Sequence, residues 1–416
     1  MKHHLILCLT LIALTAAAQN KNAPVNYDES QVPAFQVPDL LTCSDGTRIE
    51  TRRQWQRKRR PELLRLFSEQ EYGITPKHTG IKVKYETLAS GPALGGLATQ
   101  KQVRFVFTSP DGQKHEALLL LYLPRNVAGR VPVIIAYNFH GNQTTTLQHD
   151  VIFSPSKELM KDAGSGKWVC GEQASRWCYE MALQRGYAVA TMCYHDICPD
   201  SPTLLSHSVL PIGTHREASD YGTIGIWAWG YSRIADYLQK HERQIDKHRM
   251  AVMGHSRLGK TALWAGVQDK RFRVVISNNS GCGGAALSKR VFGENVARIT
   301  AAFPHWFCPA FNTYSENEAA LPFDQHQLLA LIAPRHFYVA SAQDDQWADP
   351  KGEYLSALYA SPVYQLYGMQ GLPDGPQPPV QQPLHYDAAY HIRTGSHDVT
   401  AYDWQCYLDY LDKMLR

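Results

Sequence analysis

A serine lies between a short apolar run and an amphipathic segment, in the stretch Ala-Val-Met-Gly-His-Ser-Arg-Leu-Gly-Lys at residues 251–260. This pattern predicts a strand that ends near Gly254, a helix that follows, and Ser256 on the sharp turn between them. A hydroxyl on such a turn is held clear of the sheet and can act as a nucleophile. The backbone N–H of Arg257 would stabilise an oxyanion, because a helix N-terminus favours negative charge. The stretch departs from Gly-x-Ser-x-Gly, since its second glycine, Gly259, comes one place late.

A serine nucleophile of this kind requires a histidine and an acid, and the three follow the order Ser, acid, His along the chain. His397 comes after the last predicted strand, at residues 390–393, and a C-terminal helix follows it. The acid should come after the preceding strand, where the stretch at residues 340–350 offers Asp344, Asp345 and Asp349. Only one of them can hold the imidazole in the required tautomer. The pattern therefore predicts ester hydrolysis with Ser256 as nucleophile and His397 as general base, and leaves the acid open.

The elements that must position these groups alternate along the chain. Apolar and β-branched runs predict strands at residues 103–109, 117–123, 131–137, 187–193, 249–253, 273–277, 336–340 and 390–393. Periodic segments predict helices at residues 61–72, 221–239 and 258–267, and from about residue 400 onward. Continuous apolar strands between helices indicate a mostly parallel sheet that is covered on both faces. With the serine turn, we predict an α/β-hydrolase fold, a three-layer αβα sandwich that forms a single catalytic domain over residues 19–416.

The N-terminus and the composition indicate where this domain works. A short basic start, an apolar run at residues 5–14 and Ala16-Ala17-Ala18 are typical of a signal peptide, so we expect residues 1–18 to be removed. The apolar run is too short to span a bilayer, and residues 19–45 have the polar, proline-containing composition of an N-terminal arm. A net charge of +4 gives no indication of nucleic-acid binding. We therefore expect an exported monomer that does not bind membranes.

Cysteines and the catalytic chemistry limit what else the chain binds. Export would permit disulfides, for which Cys170 with Cys178 and Cys193 with Cys198 are the pairs nearest in sequence, although pairing cannot be deduced from sequence. The segment at residues 193–198 lacks the paired short spacings of a zinc site. Serine catalysis needs neither a metal nor a cofactor, so we expect none.

Several of these stretches resemble one known family. Gly-x-Ser-Arg-x-Gly-Lys at residues 254–260 is similar to the signature of the glucuronoyl esterases, carbohydrate esterase family 15. The resemblance extends through residues 279–285, Ala-Pro-Arg at 333–335, Trp-Ala-Asp-Pro at 347–350 and the loop of His397, and the bacterial members are the most similar. Members cleave the ester between a 4-O-methyl-glucuronic acid branch of xylan and a lignin alcohol. The resemblance thus implies a glucuronoxylan or lignin-carbohydrate ester as substrate.

The resemblance also implies roles for individual residues. Ser256 would attack the C6 carbonyl of the uronate ester, and the side chain of Arg257 would help to stabilise the oxyanion. Lys260 matches the family lysine that binds sugar hydroxyls, and Trp347 matches the aromatic residue at the sugar site. Glu294 is our candidate for a further hydroxyl contact.

The sequence departs from the family pattern at two positions. Many members carry the catalytic glutamate where this chain has Asn279, and an amide has no charge to stabilise an imidazolium. Some bacterial members place the acid after the next strand, which assigns the role to Asp345, with Asp344 as second candidate. Fungal members have a disulfide cysteine where this chain has His255, whose side chain we expect to point away from Ser256.

Two other functions stay open at this stage. The same triad would serve an esterase that removes acetyl or feruloyl groups from xylan. Asn279 also allows a degenerate member that binds polysaccharide without cleaving it.

Overall fold

The computed structural model describes residues 23–161 and 168–415, so the predicted signal peptide at residues 1–18 lies outside the described part. One sheet carries the fold. Its strands are β1 (Lys82–Ala93), β2 (Ala98–Thr108), β3 (Lys114–Pro124), β4 (Val131–Asn138), β5 (Ala188–Cys193), β6 (Ile245–His255), β7 (Phe272–Asn278), β8 (His336–Ala342), β9 (Leu384–His385) and β10 (Ala388–Arg393).

The strand order is β1-β2-β3-β5-β4-β6-β7-β8-β10-β9. Neighbours from β5 through β10 run parallel. The pairs β1–β2, β2–β3, β3–β5 and β9–β10 are antiparallel. The predicted mostly parallel sheet is therefore confirmed for the part that carries the site. The sequence predicted no strand at β1, whose residues are mostly exposed or half-buried, because a strand at the sheet edge lacks a continuous apolar run.

Helices cover both faces of the sheet. They are α1 (Arg52–Gln54), α2 (Arg60–Gln70), α3 (Lys157–Met160), α4 (Tyr179–Gln184), α5 (Thr223–His241), α6 (Arg257–Gln268), α7 (Val296–Ala302), α8 (Gln325–Ala330), α9 (Pro350–Tyr359), α10 (Ser361–Leu366) and α11 (Ala401–Leu415). A π-helical turn, Trp55–Arg59, joins α1 to α2. Within the described ranges, no helix has both the length and the apolar character needed to cross a bilayer.

Alternation along the central strands separates the two cores. Val133 and Ile135 of β4 share a buried cluster with the apolar residues of α5 and α6. Ile134 and Ala136 belong to the other cluster, which contains the buried residues of α4 and α11. Because successive side chains of a strand point to opposite faces, a fully buried strand needs apolar residues at every position. This explains the continuous apolar runs and gives the three αβα layers of an α/β-hydrolase fold.

The eight cysteines that the structure describes are all free. Cys193 Sγ lies near Ser156 Oγ and the carbonyl of Phe139, whereas Cys198 Sγ lies beside the carbonyl of Pro199. Cys170 Sγ contacts backbone carbonyls at residues 146 and 148. Both candidate disulfides, Cys170–Cys178 and Cys193–Cys198, are therefore wrong for this structure, because closeness in sequence did not bring the sulfur atoms together.

Candidate active site

Ser256 occupies a strained turn between β6 and α6. Its backbone has φ 58° and ψ −129°, a region that non-glycine residues rarely adopt, and its N–H donates to the carbonyl of Asn278 on β7 at 2.9 Å. Gly254 makes the turn possible, because a Cβ there would lie 1.8 Å from the carbonyl oxygen of Leu258. The local pattern of strand, serine and helix thus forms the predicted sharp turn, and α6 begins at Arg257.

The late second glycine has a packing reason. Leu258 is fully buried, so the usual glycine position of the motif contributes to the core. Gly259 instead faces the loop after β7, where an added Cβ would lie 3.0 Å from Cβ of Ser280. The close approach between α6 and this loop therefore leaves little room for a side chain at position 259.

Asp345 and His397 meet at the carboxyl edge of the sheet. Asp345 Oδ2 lies 2.6 Å from Nδ1 of His397, and the carboxylate is buried while the His397 side chain is 39% exposed. The other two acids have different surroundings. Asp349 binds Nε of Arg290 at 2.9 Å and caps α9, and Asp344 is exposed. Of the three carboxylates that the sequence left open, only Asp345 binds the imidazole.

Arg393, the last residue of β10, stabilises the loop that carries His397. Its guanidinium donates to backbone carbonyls within the loop, those of Thr394, Ser396 and Asp398. The Nε of Arg393 also donates to Asp403 Oδ2 at 2.7 Å, and Asp403 is fully buried. An arginine can connect loop and helix in this way because its donors form a rigid planar fork.

Asn279 fills the position where many family members carry the acid. It follows β7 directly, has φ 46°, and its Nδ2 donates to Asp345 Oδ2 at 2.7 Å. The amide therefore binds the same oxygen that binds His397, and it orients the carboxylate rather than replacing it.

The sequence predicted that the side chain of His255 points away from Ser256, but it did not indicate that this ring packs against His397. Its Nδ1 lies 2.6 Å from Oδ1 of Asn278, and its ring centroid lies 4.5 Å from that of His397. Burial lowers the pKa of His255 well below its usual value, so the ring is neutral. Its ring packs beside the imidazole of His397 and does not line the cavity that contains Ser256.

A cavity of about 490 Å³ opens at this edge of the sheet. The seven residues to which the sequence analysis gave a catalytic or sugar-binding role all line it, namely Ser256, Arg257, Lys260, Glu294, Asp345, Trp347 and His397, whereas the alternative acids Asp344 and Asp349 do not. Phe303 and Trp306 form another wall, with stacked rings whose centroids are 3.7 Å apart. A polar floor between aromatic walls suits a sugar, whose hydroxyls need hydrogen-bond partners and whose faces stack on rings.

Lys260 and Glu294 form a buried pair in this floor. The Lys260 ammonium donates to the carbonyl of Ser280 and lies 3.6 Å from Oε2 of Glu294. Burial raises the pKa of Glu294, and the positive charge of Lys260 opposes that shift. Trp347 is tied to the pair, because its carbonyl accepts the N–H of Glu294 at 2.9 Å. The three residues therefore form one connected group.

The fold and the strand–serine–helix turn define the class of protein: the chain is an α/β-hydrolase. The family model described as "Glucuronyl esterase, fungi" matches residues 182–368. Carbohydrate esterase MZ0003, from an unknown prokaryotic organism, is 44% identical over 401 residues, which cover 93% of this chain and 91% of that protein. A 4-O-methyl-glucuronoyl methylesterase of Schizophyllum commune is 26% identical over 376 residues, which cover 88% of this chain and 81% of that protein.

Solved structures agree with these relatives. A glucuronoyl esterase from Solibacter usitatus superposes with a TM-score of 0.84 at 40% identity, covering 94% of this chain and 100% of that one. The chain therefore belongs to the glucuronoyl esterases, carbohydrate esterase family 15. The resemblance drawn from the sequence motifs is confirmed.

Proposed function

We propose that the chain is a serine carboxylic-ester hydrolase that cleaves (4-O-methyl-)glucuronoyl esters, which link the glucuronic acid of xylan to lignin alcohols. The observation that carries this proposal is the contact of 2.6 Å between Asp345 Oδ2 and His397 Nδ1, at the rim of the cavity that Ser256 lines. Relatives named 4-O-methyl-glucuronoyl methylesterase support the choice of substrate.

The proposed reaction begins with proton transfer. An ionised Asp345 can only accept a hydrogen bond, so the proton of the imidazole stays on Nδ1 and Nε2 is the free base. His397 takes the proton of Ser256 as Oγ attacks the C6 carbonyl carbon of the ester. The resulting oxyanion is stabilised by the backbone N–H of Arg257 and by its guanidinium, whose interaction strengthens as negative charge develops. Collapse expels the alcohol, which receives the proton from His397, and water then hydrolyses the acyl-enzyme.

The sugar would be held by the connected group of Lys260, Glu294 and Trp347. The ammonium and the carboxylate offer a donor and an acceptor to ring hydroxyls, and the indole of Trp347 adds a donor. We expect Glu294→Gln to raise KM for a glucuronate ester with a smaller change in kcat, because the proposed role of this residue is to bind the sugar and not to react with the ester. A loss of kcat alone would contradict a role in sugar binding.

Hydrolysis of benzyl glucuronate ester beside an acetyl ester tests the proposed activity. We expect wild-type turnover of the glucuronate ester and almost none in Ser256→Ala, whose melting temperature verifies that the variant is folded. Cleavage of the acetyl ester alone would favour an acetyl or feruloyl esterase. No turnover of either ester would favour a degenerate member that binds polysaccharide.

Export is part of the proposal, since the substrate is a cell-wall polymer. We expect the exported protein to begin at residue 19, after removal of the 18-residue leader, and intact mass of the secreted chain measures this. A mass that retains residues 1–18 would contradict it.

A further inference from the structure

The loop after β5 buries a carboxylate beside the proposed oxyanion site. Asp200 has a side chain that is 3% exposed, and its Oδ2 accepts from Nη1 of Arg257 at 2.5 Å and from the hydroxyl of Tyr194 at 2.8 Å. Its Oδ1 accepts from Nε1 of Trp306 at 2.7 Å and lies 2.8 Å from Nε2 of His305. Each carboxylate oxygen therefore has two partners, and the group is held in one orientation.

The charges around Asp200 keep it ionised. Burial alone would raise the pKa of Asp200, but the charge of Arg257 and the hydrogen bond from His305 outweigh it and hold this pKa well below its usual range. On the other side, Nδ1 of His195 accepts the backbone N–H of Asp200 at 3.0 Å. Burial lowers the pKa of His195 to about 3, so this ring is neutral and does not compete with Arg257 for the carboxylate.

Aromatic rings restrict the guanidinium of Arg257 further. Its Cζ lies 4.7 Å from the ring centroid of Trp306 and 5.2 Å from that of Phe303. The side chain is 28% exposed, and Arg257 lines the cavity. Because the guanidinium is planar and its donors are fixed relative to one another, anchoring one nitrogen on Asp200 sets the direction of the others.

We propose that Asp200 is a positioning residue that holds the guanidinium of Arg257 ready for the oxyanion. This inference rests on the proposed function. Burial of the ion pair costs desolvation that offsets much of the attraction, so the pair as a whole contributes little net stability, although removal of one partner alone destabilises the fold. Donors that are already oriented need no reorganisation when the oxyanion forms, and this is the source of their catalytic effect.

Substitution of Asp200 by asparagine separates positioning from charge. Removing the negative charge leaves the field of Arg257 less compensated, so charge alone predicts faster turnover. Positioning predicts the opposite, and we expect Asp200→Asn to lower kcat for benzyl glucuronate ester about 10–100-fold, with a much smaller change in KM. In an Arg257→Ala background the same substitution should have almost no effect, because Asp200 acts through Arg257.

Two further variants complete the test. Tyr194→Phe removes one donor to Asp200 without altering its charge, and should lower kcat less but in the same direction. Asp269→Asn breaks the 2.6 Å ion pair with Arg271 beyond the far end of α6, and should leave kcat unchanged. The inference is overturned if Asp200→Asn turns over the ester as fast as the wild type or faster. It is also overturned if the fold losses in kcat of Asp200→Asn and Arg257→Ala multiply when the two substitutions are combined. Failure of the proposed function itself would appear in the wild type, which would not hydrolyse the ester.

Discussion

The side-chain N–H of Asn279 donates a hydrogen bond to the carboxylate oxygen of Asp345 that also binds His397. The two contacts measure 2.7 Å and 2.6 Å. The loop after β7 thus supplies Asn279, which contacts the proposed acid, and the loop after β8 supplies that acid, Asp345. Because β7 and β8 are neighbouring parallel strands, their carboxyl ends lie side by side and either loop can reach the imidazole.

The first prediction concerns the identity of the acid. Asp345→Asn should lower kcat about 10⁴-fold, since an amide at this position no longer stabilises the imidazolium and favours the wrong tautomer. Asp344→Asn is the matched control, because the neighbouring carboxylate is exposed, and it should retain nearly full activity. Steady-state kinetics on benzyl glucuronate ester measures both. Equal losses in the two variants would refute the assignment.

The second prediction moves the acid between the two loops. In an Asp345→Asn background, Asn279→Glu should recover at least about tenfold of the lost kcat, because it brings a carboxylate back to the imidazolium. Asn279→Gln in the same background has similar size without the charge and should recover nothing. Recovery by both variants, or by neither, would mean that position 279 cannot supply the acid in this chain.

The third prediction separates the two adjacent histidines. The pKa of His255 is lowered well below its usual value, so this ring is a weaker base than an ordinary imidazole and is poorly suited to take the proton of Ser256. His255→Phe keeps a ring against His397 and should cost about tenfold in kcat or less, the order of one lost hydrogen bond. His397→Ala should abolish turnover, and the profile of kcat/KM against pH should keep its shape in His255→Phe. A loss as large as that of His397→Ala would make His255 a candidate base.

The fourth prediction concerns stability against pH. Burial raises the pKa of Glu71 to about 8, and its Oε1 accepts from Gln325 at 3.0 Å. An unfolded glutamate titrates at about 4.3, so the folded state binds the extra proton between these values. This contribution is complete below the unfolded pKa and is lost as pH rises through the folded one.

The melting temperature of the wild type should therefore fall more steeply between about pH 5 and about pH 8 than that of Glu71→Gln, which cannot ionise. Glu69→Gln provides the control, because this residue of α2 is about one-third exposed. The slope of melting temperature against pH for Glu69→Gln should match that of the wild type. Parallel slopes for wild type and Glu71→Gln would show that the buried carboxyl does not titrate in this range.

The nucleophile turn could be predicted from sequence because its signals are local. Gly254, Ser256 and the amphipathic segment of α6 lie within a few residues of one another, and the steric demands of the turn act at the same short range. The apolar runs of β4 through β8 follow in the same way from burial on two faces. The motif set was also specific enough to indicate the family.

Long-range contacts could not be read from such signals. Three aspartates lie within a few residues after β8, and local spacing does not distinguish them. The family resemblance favoured Asp345, and the structure shows that Asp345 lies beside His397 while Asp349 pairs with Arg290. The same holds for Asp200, which comes from the loop of another strand and meets Arg257 only in the folded chain.

Local sequence determined the fold class, the serine turn and the histidine loop of this protein. The family resemblance favoured Asp345 as the acid, but only the tertiary structure shows that Asp345 contacts His397, that Asn279 contacts the same carboxylate, and that Asp200 pairs with Arg257. The physical reason is that a turn depends on the conformations of adjacent residues, whereas hydrogen bonds between loops depend on where parallel strands bring their ends together.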